Sequence, residues 1–249
     1  LELGFGIAQI EDRYFQNNVI DFDKDKYDKS GYRLFGGSVS FNGSTLNSRQ
    51  FPIQGAREAL VAQIFTGNES FRPGVNSENK KPVKEKHSWL QLSYMKEKYH
   101  KMGANWILGW YLDAVYASKN FSENYTATMM QASEFAPTAH SKLTYNEAFR
   151  ANQYVAAGIR PIYRLNQMFH VRGEFYGFLP IFPIERNSIN KAYYGKAFSR
   201  FEYLGEISVV CQLPFGAISA YVNHYSSPRR EWNVGLTLGW QLFNYRFIE

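Results

Sequence analysis

The sequence predicts an all-β chain, and more narrowly the wall of a transmembrane antiparallel up-and-down β-barrel with about ten strands. Three observations carry that expectation. The stretch Trp232–Leu242 alternates in twos: Trp232, Val234, Leu236, Leu238, Trp240 and Leu242 fall on one face, and Asn233, Gly235, Thr237, Gly239 and Gln241 on the other. Successive strand side chains point to opposite faces, so one face is greasy and the other small and polar. The strand-like runs exceed the roughly 5–6 residues of a globular strand and suit the about 9–11 of a tilted membrane strand. Finally, the connections alternate between long and short, as in outer-membrane barrels.

Taken in order, the first strand is expected over Leu1–Phe15, with Leu1, Leu3, Phe5 and Ile7 on one face. The second covers Tyr32–Ser44, with Phe35, Val39 and Phe41 opposing Gly36, Ser38 and Ser40. The third, Arg57–Thr66, splits weakly; the fourth runs over Ser88–His100. In the fifth, Ala104–Ala117, Trp106, Leu108, Trp110, Leu112 and Ala114 oppose Asn105, Gly109, Tyr111 and Asp113. The sixth, Arg150–Tyr163, sets Val155, Ala157 and Ile159 against Tyr154, Gly158 and Arg160. The seventh, Met168–Leu179, sets Phe169, Val171, Phe175 and Leu179 against His170, Arg172, Glu174 and Tyr176. The eighth, Phe201–Leu213, opposes Tyr203, Ile207, Val209 and Leu213 to Glu202, Glu206, Ser208 and Gln212. Ala217–Tyr225 and Glu231–Phe247 complete the set, and helical periodicity is almost absent.

The long connections are Gln16–Gly31, Gly67–His87, Ser118–Phe149 and Pro180–Lys196. The tight ones are Lys101–Gly103, Leu165–Gln167 and Pro214–Gly216, with Thr45–Gly55 an intermediate turn. Within the latter, Pro52 fixes one dihedral and Gly55 permits the left-handed one, as an ordinary β-turn requires. With a periplasmic C-terminus every long loop falls outside the cell and the Pro52–Gly55 turn lies in the periplasm.

Composition agrees. Aromatics are 17% of the 249 residues while mean hydropathy is negative, which suits an aromatic-girdled wall with a wet interior. No apolar run is long enough for a transmembrane helix. The chain starts directly in a strand pattern without an initiator Met, and reads as a mature or truncated piece of something longer. Single Cys211 excludes an internal disulfide and reads as a small wall residue. The net charge of +6 is scattered, which favours anionic lipid headgroups or plain solvation over nucleic acid.

Charged residues on lipid-facing positions would cost a few kcal/mol at mid-membrane. Parity instead places Asp113, Arg160, His170, Arg172, Glu174, Glu202 and Glu206 inside, where Arg–Glu pairs across neighbouring strands satisfy one another. No Gly-x-Ser-x-Gly elbow, metal-spaced Cys/His set or phosphate-cradling loop occurs, so no catalytic residue, cofactor or metal is expected. Glu202 and Glu206, four apart on one strand, are about 13 Å apart by the strand rise, too far for an acid/base couple. Neither a narrow filled interior nor one wall of a wider barrel is excluded by these residues.

Several runs resemble the C-terminal barrel of Bacteroidetes patatin-like phospholipases. They are Leu46-Asn47-Ser48-Arg49-Gln50-Phe51-Pro52-Ile53-Gln54-Gly55, Gly67–Gly74, Asn124–Thr128, Phe149–Asn152 and Ile218–Pro228. The resemblance implies a type V secretion-like arrangement: a patatin hydrolase, a small periplasmic module, then a sixteen-stranded barrel of the BamA-like surface-antigen superfamily. By that likeness this chain is the C-terminal part, and the patatin Ser–Asp dyad lies outside it. Asn233-x-Gly235-x-x-Leu238-x-Trp240 is similar to the outer-membrane C-terminal signal, although it ends before the terminal Glu249, with Phe247 as the other candidate end. Val171-Arg172-Gly173 matches the superfamily's Arg-Gly lid motif only by chance, since it lies inside an alternating strand. The resemblance implies a bacterial outer-membrane location, with membrane lipids, lipopolysaccharide and the barrel assembly machinery as partners. A homodimer or larger outer-membrane complex is compatible with it. The implied role is anchoring, display or translocation of the hydrolase. A BamA-like assembly barrel without an enzyme and an independent ten-stranded porin or adhesin are the alternatives.

Overall fold

The computed structural model describes residues 1–16, 26–75, 77, 80–227 and 232–240. The chain is all-β, and its ten long strands form one antiparallel sheet in which each strand pairs with its sequence neighbour. They are β1 Glu2–Tyr14, β2 Asp28–Ser44, β3 Gly55–Arg72, β4 Val83–Lys101 and β5 Trp106–Ala117, then β6 Gln153–Arg164, β7 Phe169–Pro180, β8 Glu202–Leu213, β9 Gly216–Tyr225 and β10 Trp232–Trp240. All ten expected strands are present. The expected continuation of the last through Gln241 and Leu242 to Phe247, the middle of the Gln16–Gly31 loop and Pro228 lie outside the described residues. The sheet is open: β1 and β10 are its edges and do not pair with each other among the described residues.

Gly67–His87 is not all loop, contrary to expectation. β3 continues to Arg72 and β4 starts at Val83, in register from Gly67 with His87 to Phe71 with Val83. Polar residues on both faces hide this extension, but Glu69 and Phe71 are buried on its inward side.

Period-two alternation decides the faces. The outward one is apolar and exposed: Phe5 is 92% and Val234 83% accessible, and Phe35, Ile64, Leu90, Ile159 and Ile207 continue the surface from strand to strand. The inward one is covered by the connections of the long-loop end. Residues 118–152 contain a short helix, α1 Tyr125–Gln131, which the sequence reading missed. Asn124 caps it by accepting from the Ala127 amide at 2.9 Å, and Met129 packs with Ile184 from the next long loop.

The 118–152 connection reaches both sides of the sheet. Gln131 Nε2 donates to Asp12 Oδ2 at 2.8 Å, and Asn124 Nδ2 to Tyr14 Oη at 2.7 Å, both on β1. At the other side His140 Nδ1 meets Tyr225 Oη on β9 at 2.9 Å, and Asn146 Nδ2 donates to the Ser227 carbonyl at 3.0 Å. The sheet therefore wraps around this loop.

Candidate functional site

The inward face divides into three levels. Nearest the long loops it is aromatic. Phe135 and Phe149 of the loop pack against Tyr154, Tyr176, Phe178, Leu204 and Tyr225, with Val115, Ala148, Ala151 and Ala156 completing the cluster. Phe135 stacks on Phe178 with ring centroids 5.7 Å apart. The loop's side chains fill this level.

The middle level is ionic. Arg160 on β6 donates from Nε to Tyr176 Oη at 2.6 Å and from Nη1 to Tyr99 Oη at 2.7 Å, and it is paired with Glu97 on β4. Arg172 on β7 is paired with Glu174 and donates from Nη2 to the same Tyr99 hydroxyl at 3.0 Å. Tyr99 Oη, accepting from both guanidiniums, donates to Glu97 Oε2 at 3.1 Å. Tyr176 Oη donates to Glu174. Two guanidiniums and two carboxylates thus neutralise one another in a buried site, the arrangement that burial of charge demands. The Arg160 guanidinium also lies over the Tyr111 ring, 4.6 Å from its centroid.

Glycines make the crossings possible. Gly109 pairs with Tyr99 on one side and Arg160 on the other. A Cβ there would stand 2.6 Å from the Tyr99 ring and 3.1 Å from Arg160 Cβ, so the bare backbone lets the β4–β6 pairs pass over β5. Gly158 likewise lies between Tyr111 and Tyr176, and a Cβ on it would stand 2.2 Å from the Tyr176 ring.

The lowest level is the Thr45–Gln54 turn, which folds inward. Asn47 Oδ1 accepts from the Ile53 and Gln54 amides at 3.0 Å each and holds it in a compact loop. Phe51 and Gly55 take φ values of +49° and +94° to turn the chain. Leu46 and Ile53 pack on Tyr99, Ile107 and Ile162. The Pro52 carbonyl accepts from Arg172 Nη1 at 2.8 Å, and Ser48 Oγ accepts from Gln212 Nε2 at 3.3 Å. A Cβ on Gly239 of β10 would stand 2.1 Å from Gln50 Oε1, so the turn reaches that strand too. The turn that contains Pro52 and Gly55 thus plugs this end of the inward face.

Arg160, Arg172 and Glu174 of the expected network come together. The other four expected members face inward but stand apart. Asp113 accepts from Tyr111 Oη at 3.2 Å. Glu206, opposite Glu174 in register, accepts from Asn223 Nδ2 at 3.3 Å. Glu202 sits at the long-loop rim, held by Arg200 Nε at 2.9 Å and by Ser226. His170 is buried, and its Nε2 has no hydrogen-bond partner among the described residues. Glu97 and Tyr99 were missed; their shared parity in β4, alternating with Lys96, Lys98 and His100, is the signal that locates them. Of the residues expected to form a C-terminal signal, Asn233 donates from Nδ2 to Asn223 Oδ1 at 3.1 Å and Gly235 lies against Tyr221. Leu238 points outward, and Trp240 pairs with Gly216.

At the long-loop rim Glu69, Glu85 and His87 bring three ligand-capable atoms within 4.8 Å of one another. Glu69 is already engaged: it accepts from Tyr32 Oη at 3.3 Å and the Glu123 amide at 3.4 Å, and lies 2.8 Å from His87 Nε2. Glu69 thereby ties β3 to the loop at Glu123. Beside it Lys119 stands over the Trp89 ring at 4.7 Å, and burial pulls its ammonium down to about 8.

No protein-family model and no curated protein matches the sequence. Among the described residues no helix is long and apolar enough to cross a membrane.

Proposed function

We propose that this chain is the wall of a bacterial outer-membrane β-barrel that anchors, and displays or translocates, an upstream patatin-like lipid acyl hydrolase. One observation supports the membrane part above all: burial is inverted. The side chains of Phe5, Ile7, Val234, Leu236 and Leu238 are exposed, while Glu97, Arg160, Arg172 and Glu174 are buried. A contiguous apolar surface of this extent needs covering, and acyl chains would cover it without competing for any hydrogen bond. Both edge strands would leave backbone groups unpaired in lipid, so in this reading β1 and β10 close on each other or on further strands of a sixteen-stranded barrel. The long loops would face outward from the cell and the short turns the periplasm.

The hydrolase part rests on the resemblance of the runs quoted above. The filled interior speaks against the porin alternative, since loop and plug occupy the space a channel would need. The test has two arms. Isolated outer membranes should retain the native protein after alkaline carbonate washing, and its intact mass should be near three times 28.8 kDa, with acyl hydrolase activity confined to the longer species. Release by carbonate would overturn the membrane reading. A native mass near 28.8 kDa would leave a stand-alone small barrel and remove the hydrolase.

A further inference from the structure

The outward face is not apolar along its full height. β1–β4 rise past the rest of the sheet: β5 pairs with β4 only up to Gln91, whereas β4 begins at Val83. On that protruding wall the outward side chains form rows across four strands. One row is Gln9–Arg33–Asn68–Lys86, the next Glu11–Gly31–Ser70–Lys84, and the last Arg13–Lys29–Arg72. Six cations stand there against one carboxylate. Glu11 is taken by Lys29 and Arg13. Arg33, Arg72, Lys84 and Lys86 form no ion pair among the described residues.

These rows border a hollow of about 730 Å³, with Gly31 in its floor. Glu69 and Glu85, which also border it, alternate to the inward face. A second hollow, about 1070 Å³ and apolar, lies next along the same strands, between Phe5, Ile7, Phe35, Ile64 and Leu90. Arg33 and Phe35 are successive outward residues of β2, about 7 Å apart by the strand rise. A basic hollow directly against an apolar one matches a single class of ligand: an amphiphile with phosphate at the junction of headgroup and acyl chain.

We propose that the outward face of β1–β4 is a binding site for a membrane lipid that carries phosphate next to its acyl chains, with lipid A as the probe. Arg33 and Lys86, with Arg72 and Lys84 above them, take the phosphate, and the Phe5–Phe35–Ile64–Leu90 hollow takes an acyl chain. Guanidinium groups suit phosphate because their paired N–H donors match its oxygens, and the apolar hollow selects a lipid-borne phosphate over a free one. The assignment rests on the membrane reading above and adds to it the lipid and the residues that hold it.

The test uses the full-length protein reconstituted in phosphatidylcholine vesicles and titrated with bis-phosphorylated lipid A. The variant R33Q/K86Q should bind about 25-fold more weakly, two cations at about fivefold each. K98Q/H100Q, altered on the same outward face at the opposite end of β4, should bind as the parent does. Dephosphorylated lipid A should bind the parent as weakly as the phosphorylated lipid binds R33Q/K86Q. The site is overturned if R33Q/K86Q keeps parental affinity, or if dephosphorylated lipid A binds equally well. Displacement by millimolar inorganic phosphate would make this a soluble-anion site and overturn the lipid assignment. A parent protein that does not insert into phosphatidylcholine vesicles at all would overturn the membrane reading, and the lipid site with it.

Discussion

Replacing Arg172 by Met tests the ionic level most directly. Arg172 is 2% exposed and ties three elements together: Glu174 on its own strand, Tyr99 on β4 and the Pro52 carbonyl of the plug. Met fills most of the volume, so the change removes charge and donors rather than opening a large cavity. Glu174 is left with the Tyr176 hydroxyl and with Arg160, whose Nε stands 3.8 Å away. Breaking a buried pair by removing one partner costs about 3–5 kcal/mol, because the remaining charge is uncompensated. R172M/E174Q removes that charge as well, and the loss should shrink to about 1–2 kcal/mol, the scale of the hydrogen bonds given up. Urea titration of detergent-folded protein, followed by tryptophan fluorescence, gives both numbers. Limited proteolysis reads the plug: with Pro52 released, cleavage within residues 45–54 should accelerate in both variants. A loss under about 1 kcal/mol for R172M, or equal losses for the single and double variants, would refute the account of a mutually neutralised network.

Gly158→Ala should destabilise by about 1–3 kcal/mol in the same titration, since its Cβ would stand 2.2 Å from the Tyr176 ring and 2.6 Å from the Phe175 carbonyl. Gly6→Ala, with nothing within 4 Å, should stay within about 0.5 kcal/mol. Phe135→Ala removes the ring at the centre of the aromatic level and should cost about 3–5 kcal/mol, with the 118–152 loop becoming the first site of protease attack. Burial lowers the pKa of His140, in that loop. A histidine whose folded pKa is depressed contributes fully above its unfolded value near 6.5, and the contribution is lost as pH falls toward the folded value. Protection of residues 136–144 should therefore weaken between pH 7.5 and 5 in the parent, and H140Q should flatten that dependence. An unchanged pH profile in H140Q would assign the effect to another group.

Strands and faces were legible because period-two alternation is a local property. Val155-Ala156-Ala157-Gly158-Ile159-Arg160 states its two faces without reference to any neighbour, and both came out as read. The extension of β3 was not legible. Asn68-Glu69-Ser70 is polar at every position and resembles a loop; it is a strand because it pairs with β2 and β4 on either side, and Glu69 finds Tyr32, His87 and the Glu123 amide of a loop distant in sequence. Helix α1 escaped for a related reason: two turns of chain give too short a period to detect, and its stability comes from Met129 against Ile184 and from the Asn124 cap.

The sequence by itself determined that the chain is built of long antiparallel strands with one apolar and one polar face, and that Arg160, Arg172 and Glu174 share the polar one. Only the tertiary structure decided what fills the space in front of that face. The Thr45–Gln54 turn looks like a simple connection, and its inward course depends on Arg172, Gln212 and Gly239 from strands far along the chain. Glu97 reaches Arg160 only because Gly109 of the intervening strand has no side chain. Alternation is fixed by each residue's own backbone geometry, whereas these contacts depend on register between strands, which no single segment contains.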